Sequence, residues 1–214
     1  MRLLDTTTIR VGNDEYAREN KSFGLTTMRD RHVSVTGSQI HFRFRGKGGK
    51  MHDIEFSDAR VARVVKRCQD LPGQHLFQYT GDDGEPMGID SDDVNSYLGE
   101  VTGEDFTAKD FRTWAGTVLA AWALQDLGEY GSNAQAKRQI VEAVESVSGE
   151  LGNTPAVCRR CYVHPDVLNA HLDGTLRSVL EREAGRKLSK GLSGLTPHEA
   201  AVLALLTRRL AAEG

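Results

Sequence analysis

The sequence predicts an α+β fold, mainly α-helical, with a small three-stranded antiparallel sheet near the N-terminus. Two periodicities lead there. From His32 to Phe56 apolar and polar residues alternate, the period of a half-buried strand, whereas most of the remaining chain carries its apolar residues three and four apart, the period of a helix packed on one side. Composition agrees with a folded chain: of 214 residues, 39% are hydrophobic and 27% charged, close to globular averages.

The strands follow from Val33 and Val35, then Ile40, Phe42 and Phe44, then Ile54 and Phe56. Thr36-Gly37-Ser38 and Gly46-Lys47-Gly48-Gly49 separate them, and glycine-rich breaks this short make a meander. Helices are predicted at about 57–69, 92–102, 108–127, 133–151, 155–162, 165–184 with a break, and 197–212. Thr196-Pro197-His198-Glu199 puts Thr at the N-cap, Pro at the first helical position and Glu where it can reach back to the cap. Thr154-Pro155 opens a helix in the same way. Phe111, Trp114, Val118 and Trp122 share one helix face and are expected to pack inward. Arg112 then projects about 100° round the helix, with Lys109 on that same neighbouring side.

No internal repeat, low-complexity tract or linker interrupts the chain, so one continuous domain over residues 1–214 is expected. Leu3, Leu4, Ile9 and Val11 look like a packed segment beginning almost at Met1, as if the chain starts at a domain boundary. The longest apolar runs, Val118 to Leu124 and Ala200 to Leu206, fall far short of the ~20 residues that span a bilayer. No signal peptide is visible, and three cysteines make no disulfide framework. A soluble protein of a reducing, cytoplasmic compartment is expected, with no membrane partner.

Twenty-seven basic residues against 30 acidic give a net charge of −3, which excludes a uniformly basic polyanion-binding domain. The charges are not spread evenly. Arg43, Arg45, Lys47 and Lys50 fall together, as do Arg60, Arg63, Lys66 and Arg67, while acids gather at Asp82, Asp83, Glu85, Asp90, Asp92 and Asp93. Any polyanion site must be a local basic face.

Three motifs invite chemistry and fall short of it. Cys158-Arg159-Arg160-Cys161 with His164 nearby lacks the second ligand pair of a zinc site, and two small packing residues are the favoured reading over metal or redox roles. Gly46-Lys47-Gly48-Gly49-Lys50 cannot be written as a phosphate-binding loop. The acidic stretch Asp82 to Asp93 fails the calcium-loop template and reads as a solvated loop.

Five residues remain: Arg10 before Gly12, Lys47 at a hairpin tip, Arg112 beside an apolar helix face, Asn153 before a capped helix, and Tyr162 at its far end beside Arg159 and Arg160. Their successive intervals are 37, 65, 41 and 9. In order and context they resemble the catalytic domain of the type IB DNA topoisomerases, in the bacterial and poxvirus branch. The resemblance runs from about Leu4 to Ala211. It is strongest in the runs from Ile9 to Asn20 and from Phe23 to Thr27, in Phe44-Arg45-Gly46-Lys47-Gly48, in Lys109-Asp110-Phe111-Arg112-Thr113-Trp114, and in Leu151-Gly152-Asn153-Thr154-Pro155 followed by Arg160-Cys161-Tyr162.

The resemblance implies a helical catalytic fold shared with the tyrosine recombinases, and an isomerase that cuts and reseals one strand of duplex DNA by transesterification, relaxing supercoils. It implies Tyr162 as nucleophile, forming a 3′-phosphotyrosyl enzyme and a free 5′-hydroxyl. Arg10, Arg112 and Asn153 would hold the phosphoryl oxygens, and Lys47 would protonate the departing 5′-oxygen. Lys109, Arg43, Arg45, Lys50, Arg159 and Arg160 are the expected DNA contacts. Neither metal, cofactor nor ATP is expected, because arginines supply the charge and the phosphotyrosyl bond stores the energy for resealing. A monomer associated with the nucleoid is the expected form.

Residue chemistry suits those roles. A phenol ionises near pH 10, so it must lose its proton as it attacks. Guanidinium stays charged and offers two oxygens a planar fork, and a lysine among the cations Arg43, Arg45 and Lys50 is suited to give up a proton.

In two respects the sequence departs from the pattern. Asn153 stands where poxvirus and eukaryotic members carry His, keeping a hydrogen-bond donor but no charge. No counterpart of the family's N-terminal β-rich clamp domain precedes Met1, so weak and salt-sensitive DNA affinity is expected. The alternatives are a tyrosine recombinase, which usually has His at the position of Lys109, and a noncatalytic DNA-binding module.

Overall fold

The structure, a computed structural model, describes residues 1–184 and 194–213. The chain gathers into two compact units, Met1–Arg112 and Thr113–Gly214. The boundary falls inside a helix that runs from Ala108 to Asp126, where no linker composition could mark it.

The first unit contains α1 (Arg2–Thr7), α2 (Asp14–Asn20), β1 (Val33–Thr36), β2 (Gln39–Arg45), β3 (Met51–Ser57), α3 (Ala59–Gln69), β4 (Gln78–Thr80), β5 (Pro86–Gly88), α4 (Ser91–Thr102) and the opening of α5 (Ala108–Asp126). Strands β1, β2 and β3 form the expected antiparallel meander in that order. Its register pairs Phe42 with both Val33 and Ile54, and Phe44 with His52. Ile40, Phe42 and Phe44 are buried while Gln39, Arg43 and Arg45 on the same strand are exposed. The inner face meets Leu25, Met28, Ala62, Val65, Leu76 and Leu98 to make this unit's core. Each large side chain so buried contributes roughly 1.5–3 kcal/mol. Asp58 caps α3, its carboxylate accepting from the Arg60 and Val61 amides at 2.9 and 3.0 Å.

The first unit departs from the expected pattern in two places. Residues 2–7 and 14–20 are helical, though neither showed a helical period: α1 is six residues long, and α2 buries none of its residues. What holds α2 is its cap, with the Asn13 side chain accepting from the Tyr16 amide at 2.8 Å. The acidic stretch is also more than a loop. Asp82 and Asp83 lie at the tip of the β4–β5 hairpin, and Asp90 with Asp93 forms a reciprocal cap on α4.

The second unit holds the rest of α5, α6 (Asn133–Leu151), α7 (Pro155–Cys161), α8 (Pro165–Leu172), α9 (Thr175–Ala184) and α10 (Pro197–Glu213). The break expected within 165–184 falls at Asp173-Gly174, where Gly174 takes φ 76°. Thr196 and Glu199 make the predicted reciprocal cap, with the Thr196 amide donating to the Glu199 carboxylate at 2.7 Å. The α5 stripe divides. Phe111 packs on the first unit's core, while Trp114, Val118 and Trp122 are only partly buried against the second's. The face of α5 that is fully buried is the small-residue one, Thr117, Ala120, Ala121 and Leu124, against α6 residues such as Ile140, Val144 and Leu151. Among the described residues no helix is long and apolar enough to cross a membrane.

Candidate active site

In the first unit, Arg10 lies in an extended segment pinned along its backbone. Its carbonyl accepts from the Leu25 amide at 2.9 Å, and the Val11 carbonyl accepts from the Thr26 amide at 2.7 Å and the Thr26 hydroxyl at 2.9 Å. Two glycines let these strands of chain touch. A Cβ on Gly24 would stand 2.5 Å from Gly12 Cα and 2.6 Å from the Arg10 carbonyl oxygen, and Gly12 itself takes φ 109°. Arg112 is 4% exposed, and its guanidinium donates to the Thr8 carbonyl at the end of α1. The opening of α5 is thereby tied to the segment that carries Arg10.

His52 marks where the cations meet. It lies on the inner face of β3, its ring stacked on Phe44 with centroids 5.0 Å apart. The same ring lies against Gly46 at the base of the β2–β3 turn, 2.5 Å from where a Cβ would sit. Burial first, then the positive charges of Arg10, Lys50 and Arg112, hold its imidazole below the usual histidine range. Three cations from distant stretches of chain therefore act on one place.

Lys47 is exposed on the 3-10 turn joining β2 to β3, which Gly48 permits with φ 73°. Its ammonium stands 5.6 Å from the ring centroid of Tyr16 on α2, a cation–π separation. Arg43 and Arg45 occupy the outer face of β2, opposite Phe44 and His52. Arg43 approaches the Asp53 carboxylate at 3.9 Å, and the Arg45 guanidinium lies beside Gly49. Arg43 and Arg45, expected beside the lysine, point away from the face that Arg10 and Arg112 share with His52. Lys109 is exposed in the first turn of α5.

In the second unit, Asn153 and Tyr162 stand at either end of α7. Gly152 ends α6 with φ 66°, the Asn153 amide donates to the Ser148 carbonyl at 3.0 Å, and Thr154 then caps α7 by accepting from the Val157 amide. Tyr162 is the residue at which α7 stops, its amide still donating to the Cys158 carbonyl at 2.9 Å. Its side chain is half-buried against the core, while Arg159 and Arg160 are exposed. Cys158 is a core residue, and among the described residues no group of three or more His, Cys, Asp or Glu could hold a metal ion.

The structure thus gathers Arg10, Lys50 and Arg112 within the first unit and sets Asn153 and Tyr162 just beyond the two ends of one short helix in the second. His52, Gly24, Gly116 and Thr117 were not singled out from the sequence. His52 alternates with Ile54 and Phe56 on the inward side of its strand, a signal of an inward histidine. The other three declare themselves only through packing.

A sequence profile of the family described as the catalytic core of eukaryotic DNA topoisomerase I matches residues 1–179. The chain belongs to this topoisomerase I family. Among its relatives, the DNA topoisomerase 1B of Acanthamoeba polyphaga mimivirus is 33% identical over 162 residues, covering 72% of this chain and 48% of the relative. The DNA topoisomerase 1B of vaccinia virus and the DNA topoisomerase I of monkeypox virus are 21% identical over 182 residues, covering 81% of this chain and 53% of theirs. The topoisomerase I match runs through all five residues picked out from the sequence, and the chain spans about half the length of the curated relatives it matches. These relatives are viral, which supports the poxvirus-like side of the resemblance.

Proposed function

We propose that the protein is a type IB DNA topoisomerase that relaxes duplex DNA through a 3′-phosphotyrosyl intermediate. The observation that carries this is the family match over residues 1–179, which takes in Arg10, Lys47, Arg112, Asn153 and Tyr162, and the positive charges of Arg10, Lys50 and Arg112 that act together on His52 agree with it. The Tyr162 oxygen forms a bond to phosphorus as its proton passes to water, the bond from phosphorus to the 5′-oxygen breaks, and Lys47 supplies the proton that makes the 5′-hydroxyl. Arg10 and Arg112 stabilise the nonbridging oxygens at the pentavalent stage. Asn153 adds a neutral donor. One such pre-aligned donor typically accounts for about 10²–10³ in rate. Resealing is the same exchange reversed, so the cut strand can rotate and close without ATP.

Lys109, Arg43, Arg45, Lys50, Arg159 and Arg160, all exposed, serve this reading as backbone contacts flanking the cut. The protein acts as a monomer, on the nucleoid in the cytoplasm of a bacterium, and an N-terminal clamp domain completes its grip on DNA. Three cysteines, too few for a disulfide framework in a chain this long, suit a reducing compartment.

The test is a supercoiled plasmid incubated at low salt without ATP. A ladder of relaxed topoisomers, absent with Tyr162→Phe, is expected. A plasmid left supercoiled overturns the proposal, and products exchanged only between paired sites would point to a recombinase.

A further inference from the structure

We infer that Gly116 and Thr117 on α5 form a socket that fixes where Tyr162 stands, and that both are positioning residues for strand cleavage. This rests on Tyr162 being the nucleophile.

Tyr162 lies outside the regular part of α7, at φ −132° and ψ −4°. Its amide donates to the Cys158 carbonyl of its own helix, and a new helix begins at Pro165. The chain from Cys161 to His164 takes its place instead from the buried face of α5. The Thr117 hydroxyl donates to the Thr113 carbonyl at 2.7 Å and accepts from the His164 amide at 3.1 Å, and it lies 3.4 Å from the Tyr162 carbonyl oxygen. The Thr113 hydroxyl donates to the Cys161 carbonyl at 3.4 Å. Thr117 is 3% exposed, so these bonds are made away from water.

Gly116 sets how near the two segments come. A Cβ there would stand 2.5 Å from the Tyr162 carbonyl oxygen, 3.2 Å from Tyr162 Cβ and 3.0 Å from Leu151 Cδ1. The first of these partners is backbone and cannot swing aside. A glycine inside a 19-residue helix costs about 1 kcal/mol relative to alanine, and the close approach of Tyr162 is what that cost secures. Restoring a carbon–oxygen separation of about 3.3 Å moves the tyrosine backbone by roughly 0.8 Å. A displacement of that order at a reacting group costs about 10- to 100-fold in rate.

The experiment is single-turnover formation of the covalent adduct on duplex DNA, followed across protein concentrations so that the saturating rate and the half-saturating concentration are read separately. Gly116→Ala is expected to lower the saturating rate about 10- to 100-fold while the half-saturating concentration stays within about twofold. Thr117→Val, which keeps the shape and loses the hydroxyl, should fall in the same direction, and Thr117→Ser should restore most of the rate. Gly99→Ala, a helix glycine whose Cβ would meet only the Glu104 carbonyl at 3.8 Å, should cleave as the parent does. Thermal unfolding of each variant verifies that it is folded at the assay temperature. Parental rates in both Gly116→Ala and Thr117→Val overturn the socket, as does a loss that appears only in the half-saturating concentration. A parent chain that forms no adduct overturns the role of Tyr162, and the inference with it.

Discussion

Replacing Gly24 by Ala adds one methyl group where the segment carrying Arg10 crosses residues 24–27. The new Cβ would stand 2.5 Å from Gly12 Cα and 2.6 Å from both the Gly12 nitrogen and the Arg10 carbonyl oxygen. Carbon atoms in contact sit about 3.5–4.0 Å apart, so the two segments must separate by roughly 1 Å. That stretches the bonds from the Leu25 and Thr26 amides, 2.9 and 2.7 Å long, past the limit of about 3.5 Å at which a hydrogen bond is still useful. Two lost bonds at about 1 kcal/mol each, with groups left buried and unsatisfied, cost about 2–4 kcal/mol in all. For a chain of this size the melting temperature falls by roughly 5–15 °C. The assay is thermal unfolding followed by circular dichroism, with Gly88→Ala as reference because a Cβ there meets nothing within 4 Å. Gly88→Ala should lie within about 0.5 kcal/mol of the parent. A Gly24→Ala protein melting at the parent's temperature would refute this account of how Arg10 is held.

Three further outcomes follow from the same structure. Lys47→Ala should slow cleavage by about 10²–10⁴ if lysine is the general acid, yet a substrate with sulfur in place of the departing 5′-oxygen should be cut at nearly the parent rate, because a thiolate leaves without a proton. Equal losses on both substrates would remove Lys47 from that role. Asn153→Ala should lose about 10² in single-turnover cleavage and Asn153→His should keep most of it; undiminished cleavage by the Ala variant contradicts the assigned contact. Stability should fall as pH drops from about 6.5 toward 5. His32, His52 and His171 are each held below the usual histidine range, chiefly by burial, so the unfolded chain takes up protons in this window that the fold refuses. The carboxylates held low, Asp58, Asp173 and Glu199, lose their contribution only at more acid pH. His171→Gln should flatten the slope measured by chemical unfolding across this range, and an unchanged slope would show that His171 does not contribute.

Much of the fold was legible because its signals are local. Alternation through Phe42 and Phe44 marked the strands of the meander and their buried face, and the Thr154 and Thr196 caps placed two helix starts within a residue. The polar helix α2 was not legible, since it buries nothing and so shows no period. Nor was the division at Arg112, because a helix runs through it unbroken. At the candidate site, Arg10, Lys47, Arg112, Asn153 and Tyr162 stood out through their order along the chain. The residues that hold them did not. Gly24 and Gly116 matter for the atoms they lack, and only the partners brought close in space reveal that.

The most direct measurement is to incubate the protein with duplex DNA, denature it, digest it and identify the peptide that carries nucleotide. A 3′-phosphate esterified to Tyr162, a free 5′-hydroxyl on the released strand, and no such peptide from Tyr162→Phe are expected. DNA bound and released uncut, or nucleotide attached to any other residue, would contradict it.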